Sequence, residues 1–335
     1  MNIKIFSRLT TRRSTLIRVL YVIFIGIGIV VLISNDITYR RKAKERSPNY
    51  TLYHDLIHRD VEFLNFSSPT VHSESKVIVI VCSRPNDTDM RNAIRQTWAN
   101  PHFSKAVHNK TASVVFVTGS GAASALINDE QQNYNDILLV DVPESYAALV
   151  YKIFAAYRWI SANYPEKFVL KVDSDVVLHL DKVIPLLKQP HERYMLCHIH
   201  KKVQPIRDVD SLWYVPESSY HERYLPDYCN GPTYLISPAA LAALIEVAWR
   251  HKVFEVEDAF FTGVLARSAN VQLVKEPGFW NKPKNSQPCV NGEGTMISYP
   301  IHYAGPEDLL ELWKKQLIRC RYLIEHLVMS LIVDD

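Results

Sequence analysis

Two acidic residues stand where an apolar strand ends, in the stretch KFVLKVDSDVVLHLDKV at residues 167–183. The Phe, Val and Leu residues before them predict a buried strand, and Asp173 and Asp175 follow it one residue apart. Carboxylates beside an apolar core are costly unless a cation, a hydrogen-bond network or water offsets their charge. The chemistry of this stretch therefore depends on which of these partners the fold supplies.

Several interpretations of this acidic pair are open. Asp residues are common in solvated turns, but here apolar residues follow at once. An apolar strand followed by Asp-x-Asp also resembles the nucleophile motif of haloacid dehalogenase phosphatases. That motif lies near the start of its domain and needs a second acidic motif, which this sequence lacks downstream. The remaining interpretation is a divalent metal that holds a sugar nucleotide diphosphate, because Mg²⁺ and Mn²⁺ prefer carboxylate and phosphate oxygens.

A dinucleotide site is the rival hypothesis from another part of the chain. Gly119-x-Gly121-x-x-Ser124 follows a predicted strand, and Asp141 ends the next strand about twenty residues later. Ser124 replaces the third small residue of that motif, and the unit is not the first of its sheet. An oxidoreductase of this kind would bind a nicotinamide cofactor and need no metal.

The elements that must position these residues alternate between strands and helices. Continuous β-branched runs separated by helices predict an α/β fold, with a mostly parallel sheet covered on both faces. Ligands of such sheets bind beyond the carboxyl ends of the strands, where Asp173 and Asp175 lie. The segment 200–232 is rich in Tyr, Trp and Pro and predicts loops around the site. The predicted strands are 76–83, 113–119, 136–142, 167–173 and 194–199, and the predicted helices are 89–99, 122–134, 146–164 and 237–249.

Charge is distributed unevenly along the 335 residues. Residues 1–46 contain ten Lys and Arg against two acids, a net charge of +8, which leaves −5 for the rest of a chain whose total is +3. A mildly acidic main body has no electrostatic footprint for nucleic acid. We therefore expect no nucleic-acid partner.

The N-terminal region predicts a membrane anchor. Residues 19–34 carry no charge, and no small-residue cleavage site follows them, which favours a retained signal anchor over a signal peptide. Basic residues flank both sides equally, so orientation follows from the large domain and the glycosylation sequons after the span. We expect a tail at 1–18, a stem at 35–75 and a lumenal catalytic domain at 76–335. The sequons begin at Asn49, Asn65, Asn86 and Asn109.

The cysteines agree with an oxidising compartment. Five are present, and no two form a C-x-x-C pair, so a zinc cluster is disfavoured. Up to two disulfides can form, and some of these residues could equally be small buried hydrophobic groups.

Five blocks in order resemble the β-1,3-glycosyltransferases of glycosyltransferase family 31. The resemblance runs from about 76 to 313 and implies a GT-A-type nucleotide-sugar-binding fold behind the N-terminal transmembrane helix. It implies an inverting transfer from a UDP-sugar, with Mn²⁺ as the metal. The blocks are RNAIRQTW at 91–98, KVDSD at 171–175, YLPDYCNGPTYLIS at 224–237, EVEDAFFTG at 255–263 and IHYAGPEDLLELW at 301–313.

The same resemblance implies roles for the metal and donor residues. Asp175 matches the family's metal-binding Asp, and Asp173 matches one expected near the ribose or a metal-bound water. His302 matches a second metal ligand. Ser174 departs from the family's central Asp but leaves both ends of the Asp-x-Asp pair in place.

A catalytic base is implied by the fourth block. Inversion needs one carboxylate that takes the proton from the acceptor hydroxyl, and Asp258 matches that position, with Glu257 beside it as the second candidate. Without the family, EVED would predict the charged start of a helix.

Further residues are implied for the two substrates. Arg91 and Arg95 lie four apart on one predicted helix and would face the donor diphosphate, or else form an ion-paired basic surface. Lys152 is a weaker donor-site candidate. Aromatic residues suit an acceptor platform or the core equally, and they are Trp213, Tyr214, Tyr228 and Tyr234.

The resemblance therefore implies a hexosyltransferase of the Golgi membrane, single-pass type II. It would transfer galactose, another hexose or an N-acetylhexosamine from a UDP-sugar to an oligosaccharide acceptor on glycoprotein or glycolipid. β-1,3-Galactosyl and β-1,3-N-acetylglucosaminyl transfer are both open. The rival within the family is an inactive member that binds glycans or acts as a scaffold.

Overall fold

The fold was analysed in a computed structural model, which describes residues 23–35, 38, 68–120, 124–280, 289–290, 293–301 and 305–315. The larger of two compact units, 50–207 with 212–335, contains every strand of the described residues. The strands are β1 Val77–Cys82, β2 Ala112–Ser120, β3 Ile137–Pro143, β4 Phe168–Asp173, β5 Val176–Leu178, β6 Tyr194–His200, β7 Tyr228–Ile236, β8 Gln272–Lys275, β9 Cys289–Val290, β10 Glu293–Gly294 and β11 Ser298–Pro300. The helices are α1 Thr88–Gln96, α2 Lys105–His108, α3 Ser124–Tyr134, α4 Leu149–Asn163, α5 Pro238–Ala248, the π-helix Ala259–Leu265 and α6 Ala266–Ser268.

A seven-stranded sheet in the order β3-β2-β1-β4-β7-β6-β8 forms the centre of this unit. β3, β2, β1 and β4 are parallel, β7 runs antiparallel to both β4 and β6, and β8 is parallel to β6. The predicted α/β fold with a mostly parallel sheet is therefore confirmed. The predicted strand and helix bounds differ from the observed ones by no more than three residues.

The prediction of loops throughout 200–232 is wrong at its end, because β7 begins at Tyr228. Gly231 and Pro232 argued against a strand in the sequence, because both residues are rare inside strands. Opposite them the β6–β7 ladder shifts register between Cys197 and Ile199, so the irregular residues occupy a break in the pairing. This break is what allows Gly231 to face the candidate site described below.

Burial explains why these segments form a sheet. β1 is VIVIVC, and its first five residues are fully buried, which is typical of a strand covered by helices on both faces. α4 packs against β2 and β3, and α5 packs against β4 and β6. α5 begins as predicted, with Ser237 accepting a hydrogen bond from the Ala240 N–H and Pro238 in the first turn.

The N-terminal region is described only over residues 23–35 and 38, where the chain is helical and its side chains are exposed. Among the residues that the structure describes, no helix is both long and apolar enough to cross a membrane. Residues 19–22, the tail and most of the stem lie outside the described residues. So do Asn49 and Asn65, whereas Asn86 and Asn109 are exposed.

One disulfide joins β6 to β7, between Cys197 and Cys229. Cys82, at the end of β1, forms none. The side chain of Cys289 and the whole of Cys320 lie outside the described residues. One disulfide is therefore present in the described part of the chain, within the predicted limit of two.

Candidate active site

The acidic pair lies at the carboxyl ends of the central strands, as predicted. Asp173 ends β4 and is in register with Cys82, the last residue of β1. Asp175 lies in the turn before β5, and its backbone carbonyl accepts a hydrogen bond from the Ile301 N–H at 2.9 Å. The chain segment that precedes His302 is thereby held beside Asp175, although residue 302 itself lies outside the described residues.

Lys171 is the partner of the acidic pair that sequence analysis missed. Its side chain is 1% exposed, and its Nζ donates to Asp173 Oδ1 at 2.6 Å and to the Gly231 carbonyl at 2.7 Å. It also lies 2.8 Å from Glu257 Oε1. Burial alone would lower the pKa of Lys171, but the charges of Asp173 and Glu257 raise it well above its ordinary value. A lysine inside an otherwise apolar strand was the available signal, because such a charge needs buried partners.

Glu257 connects this ion pair to a buried tyrosine pair. Its Oε2 accepts from the Tyr234 hydroxyl at 3.0 Å, and that hydroxyl lies 2.8 Å from the hydroxyl of Tyr157. Burial raises the pKa of Glu257, and the nearby Lys171 opposes that rise. Tyr234 is fully buried. The prediction of Tyr234 as part of an acceptor platform is therefore wrong, and its place is in the core beneath the carboxylates.

Asp258 caps the π-helix and faces the same cluster. Its Oδ1 accepts from the Ala259 N–H at 2.7 Å, so the predicted helix start at EVED is confirmed. Burial, followed by the charge of Glu257, raises the pKa of Asp258 to about 7. Gly231 lies against this carboxylate, since a β-carbon at residue 231 would come within 2.9 Å of Asp258 Oδ2. The cluster therefore holds a carboxylate that can gain and lose a proton near neutral pH.

A cavity of about 380 Å³ opens over this cluster, and Lys171, Asp173, Glu257 and Asp258 all line it. Opposite walls carry aromatic and polar side chains, including Tyr146, Trp213 and Tyr228.

The aromatic candidates divide between this cavity and the core. Trp213 is half exposed, and Tyr228 packs on the ring of His200 with centroids 5.1 Å apart. His200 Nε2 in turn lies 2.8 Å from Asn230 Oδ1. Tyr214 is buried and is not part of the cavity lining. Trp213 and Tyr228 therefore remain acceptor candidates, joined by His200, which sequence analysis did not identify.

Lys152 lies near the carboxyl ends of β1 and β3, but its charge is already paired. Its Nζ donates to Glu144 Oε1 at 2.8 Å and to the Ser83 carbonyl at 2.9 Å. Glu144 also accepts from the Gly119 N–H at 3.0 Å. Gly119 is needed because a β-carbon there would come within 2.5 Å of the Val142 carbonyl. The glycine in the predicted dinucleotide motif thus has a packing role between β2 and β3.

The two arginines do not face the cavity as the resemblance implied. Arg91 is completely buried, and its guanidinium donates to Glu130 at 2.6 and 2.8 Å and to Ser83 Oγ at 2.9 Å. Arg95 pairs with Glu130 and Asp136 and lies over the ring of Tyr134, 3.9 Å from its centroid.

Asp136 directly precedes β3, which is the end of the sheet opposite the carboxyl ends. The contacts of Arg95 therefore lie away from any diphosphate bound at Asp173. The alternative of ion pairing describes both arginines better, because Glu130 of α3 pairs with each of them, with Arg91 in the core and Arg95 partly exposed.

The candidate metal site contains carboxylates at the end of β4 and in the turn that follows it. Asp173 and Asp175 supply the hard oxygen atoms that Mg²⁺ and Mn²⁺ prefer. Within the described ranges no group of three or more His, Cys, Asp or Glu is placed to hold a metal. His302, the second implied ligand, lies outside those ranges. Asp173 and Asp175 are therefore carboxylates of suitable chemistry for the metal, and His302 would be the further protein ligand.

Comparison with known proteins gives one consistent result. A profile of the galactosyltransferase family matches residues 89–277. β-1,3-Galactosyltransferase 1 of Homo sapiens is 25% identical over 253 residues, which cover 73% of this chain and 76% of that protein. Lactosylceramide 1,3-N-acetyl-β-D-glucosaminyltransferase of Homo sapiens is 26% identical over 250 residues, covering 71% of this chain and 65% of that protein.

Solved structures match more weakly. A mannosyltransferase from Pyrobaculum calidifontis shares 14% identity over 76% of this chain and 69% of its own, with a TM-score of 0.36. That score is too low to support any conclusion about this chain. The family match covers β2 to β8 and the carboxylate cluster described above, including Lys171, Asp173 and Asp258.

Proposed function

The chain belongs to the galactosyltransferase family, glycosyltransferase family 31, and from that premise we propose that it is an inverting β-1,3-glycosyltransferase with a GT-A-type fold. The donor is a UDP-sugar, with UDP-galactose as the first candidate and UDP-N-acetylglucosamine as the second. The acceptor is an oligosaccharide on a glycoprotein or glycolipid. The curated relatives named above support both donors, because one is a galactosyltransferase and the other transfers N-acetylglucosamine.

The observation that carries this proposal is the position of Asp258 in the cavity that also contains Asp173. Asp258 takes the proton from the acceptor hydroxyl as that oxygen attacks the anomeric carbon from the side opposite the leaving diphosphate. A general base works best when its pKa lies near the operating pH, and the pKa of Asp258 is raised to about 7. Asp173 lies across the cluster, where the donor is expected.

Lys171 and Glu257 position these two groups. Lys171 holds one oxygen of Asp173 and one of Glu257, so β4 and the segment before the π-helix are fixed to each other. The charge of Glu257 contributes to the raised pKa of Asp258, whereas Lys171 limits that rise. Glu257 is committed to Lys171 and Tyr234, which favours Asp258 over Glu257 as the base.

A divalent metal, with Mn²⁺ as the first candidate, would be held by Asp175 and His302, with Asp173 nearby. When bound, it supplies positive charge that neutralises the leaving diphosphate. The protein's own contribution is the Lys171 contact, which fixes Asp173 at the end of β4, two residues before Asp175.

We further propose that residues 19–34 anchor the chain in the Golgi membrane, with residues 76–335 in the lumen. The exposed positions of Asn86 and Asn109 and the Cys197–Cys229 disulfide support a lumenal location. Endoglycosidase treatment of the expressed full chain should lower its mass by removing N-linked glycans. The untreated Asn86→Gln and Asn109→Gln variants should each already lack the mass of one glycan. Absence of any such shift would contradict the lumenal topology.

The activity itself is tested with the detergent-solubilised full chain, UDP-galactose, UDP-N-acetylglucosamine and UDP-N-acetylgalactosamine, and a panel of oligosaccharide acceptors. We expect UDP release with one donor, dependence on Mn²⁺ and loss of turnover in Asp175→Ala and Asp258→Asn. Glycan binding without turnover on any donor would instead favour the inactive member. Full activity of Asp258→Asn would refute the assigned base.

A further inference from the structure

A second and larger cavity, about 710 Å³, lies beside the candidate active site. Leu225 lines both cavities. The remaining walls come from the end of β6, the segment 224–227, the π-helix with α6, and β8. Its floor is apolar, and the side chains there are Ile199, Ala266, Val271 and Leu273.

Three cations and one acid line this cavity and give it a net charge of +2, and these residues are Lys201, Lys202, Arg267 and Asp227. Lys202 forms no ion pair or hydrogen bond with any residue in the described part of the chain. Its backbone has a φ of 54°, a left-handed conformation that residues other than glycine rarely adopt. The structure therefore keeps an unpaired cation at the cavity in a backbone conformation that lysine does not prefer.

The other two cations form ion pairs at the surface. Lys201 lies 3.7 Å from Asp227, with side chains 68% and 49% exposed. Arg267 donates to both carboxylate oxygens of Glu222, at 3.1 and 3.4 Å, with side chains 55% and 46% exposed. Exposed ion pairs contribute little to stability, so an incoming anion can compete with the present partners.

The charge of this cavity's lining is positive, whereas the domain around it is negatively charged. Residues after 46 carry a net charge of −5. A cationic cavity in an acidic body attracts anions selectively to that one place. Its apolar floor, with Tyr224 on the wall, suits the C–H faces of a sugar better than a bare inorganic ion.

Gly263, which lines the second cavity, packs against Tyr228, which lines the first. Gly263 of the π-helix packs so tightly on the preceding segment that a β-carbon there would come within 3.1 Å of the Tyr228 Cβ. Thr262 and Gly263 line the second cavity, whereas Asp258, which caps the same helix, lines the first. A ligand that passes Leu225 would therefore contact both ends of one short element.

We propose that this second cavity binds an acidic sugar of the acceptor, carrying a carboxylate or a sulfate, while the reacting hydroxyl lies at Asp258. This inference rests on the proposed function, because it assigns the cavity to the same acceptor chain. Lys202 and Arg267 contact the anionic group, and Leu225 and Tyr224 contact the sugar between the two cavities. The substrate class is thereby narrowed to acidic glycans.

The test measures binding of defined tetrasaccharides to the detergent-solubilised full chain by calorimetry, without any donor. The first probe alternates glucuronic acid and N-acetylglucosamine. The second is the same tetrasaccharide with each carboxylate reduced to an alcohol, and the third is a chondroitin 6-sulfate tetrasaccharide. The third probe carries sulfates in addition to carboxylates, so tighter binding of the third probe than of the first would indicate recognition of the sulfate as well as the carboxylate.

We expect the acidic probes to bind at least about tenfold more tightly than the reduced probe, with affinity that falls as salt rises. Lys202→Met and Arg267→Met should each weaken acidic binding by about tenfold. Lys110→Met is the matched control, because Lys110 is an exposed lysine with a φ of 58° that lines neither cavity. It should bind like the wild type.

Equal binding of the acidic and reduced probes would overturn the inference. So would Lys202→Met and Arg267→Met variants that retain wild-type affinity and melting temperature. Because no donor is present, loss of turnover cannot produce either result. Transfer to neutral acceptors with no acidic binding would leave the proposed function standing and refute the second cavity alone.

Discussion

Gly231 leaves just enough space for the carboxylate of Asp258, since a β-carbon at residue 231 would lie 2.9 Å from Oδ2. The carbonyl of the same glycine accepts a hydrogen bond from Lys171 at 2.7 Å. One residue without a side chain therefore contacts both the proposed base and the cation that organises the cluster.

Gly231→Ala should displace the Asp258 carboxylate and lower kcat by about tenfold to a hundredfold, because misplacement of a catalytic group by about 1 Å has effects of this size. The KM for the donor should change little. Gly305→Ala is the control, since a β-carbon there would lie an ordinary 3.8 Å from its nearest neighbour. Unchanged kcat in a folded Gly231→Ala variant would show that the contact does not position the base.

Asp258→Asn should abolish transfer and raise stability at neutral pH. The pKa of this group is near 3.8 ordinarily and about 7 in the folded protein, so ionisation favours the unfolded chain. The wild-type protein therefore loses stability as the pH rises above about 4, and this loss of stability is complete above a pH of about 7. The variant should therefore melt a few degrees higher than wild type at pH 8, at roughly 2–4 °C for each kcal/mol of stability gained. At pH 4 the variant and the wild type should have the same melting temperature.

Asp129→Asn, at an exposed carboxylate, is the control for that comparison and should leave the melting temperature unchanged at both pH values. If Asp258→Asn melts below wild type at pH 8, the environment of Asp258 does not favour its neutral form.

The acidic side of the pH–rate profile should report Asp258. Protonation of the base below about pH 7 should lower kcat/KM about tenfold for each pH unit. The profile is measured from pH 5.5 to 8.5 under conditions where the protein stays folded. A rate that stays level down to pH 5.5 would exclude Asp258 as the base.

Lys171→Met should cost about 3–5 kcal/mol of stability, because it leaves the buried Glu257 and the half-buried Asp173 without their shared cation. In the protein that remains folded, the acidic limb of the pH–rate profile should move to higher pH, since Lys171 lowers the pKa of Asp258. Lys171→Arg should retain more stability than the Met variant. Lys188→Met, at an exposed lysine, should change neither property.

Arg95→Lys should lower the melting temperature and leave the donor KM unchanged, because Arg95 contacts Glu130 and Asp136 rather than the cavity. Lysine cannot reproduce the two-pronged contact with Asp136. Calorimetry and donor titration check the two parts separately. A rise of about threefold or more in donor KM would return Arg95 to the donor site.

The sequence was sufficient where chemistry follows from local pattern. Strands of continuous apolar residues placed Asp173 at the carboxyl edge, and the charged start of EVED was read correctly as a helix cap. It was insufficient where partners come from distant segments. Arg95 looked available until α3 and β3 brought Glu130 and Asp136 to it, 35 and 41 residues away in sequence.

Lys171 and Tyr234 also show that sequence does not reveal contacts with distant segments, the first for a charged residue and the second for an aromatic one. A lysine within an apolar run indicates that a buried acidic partner is needed, but it does not identify that partner as Glu257, which comes from a distant part of the sequence. An aromatic residue in a Tyr-rich segment gives no hint of whether it faces sugar or core. Burial separates Trp213 from Tyr234, and burial depends on packing that one chain segment does not encode.

The Cys197–Cys229 disulfide has a consequence for how such enzymes diversify. It fixes both ends of an intervening segment, 32 residues apart in sequence, from which Trp213, Leu225 and Lys202 reach the two cavities. Lys171, Asp173 and Asp258 all lie outside that segment. We therefore expect substitutions within this segment to change the lining of the two cavities while the positions of Lys171, Asp173 and Asp258 are retained.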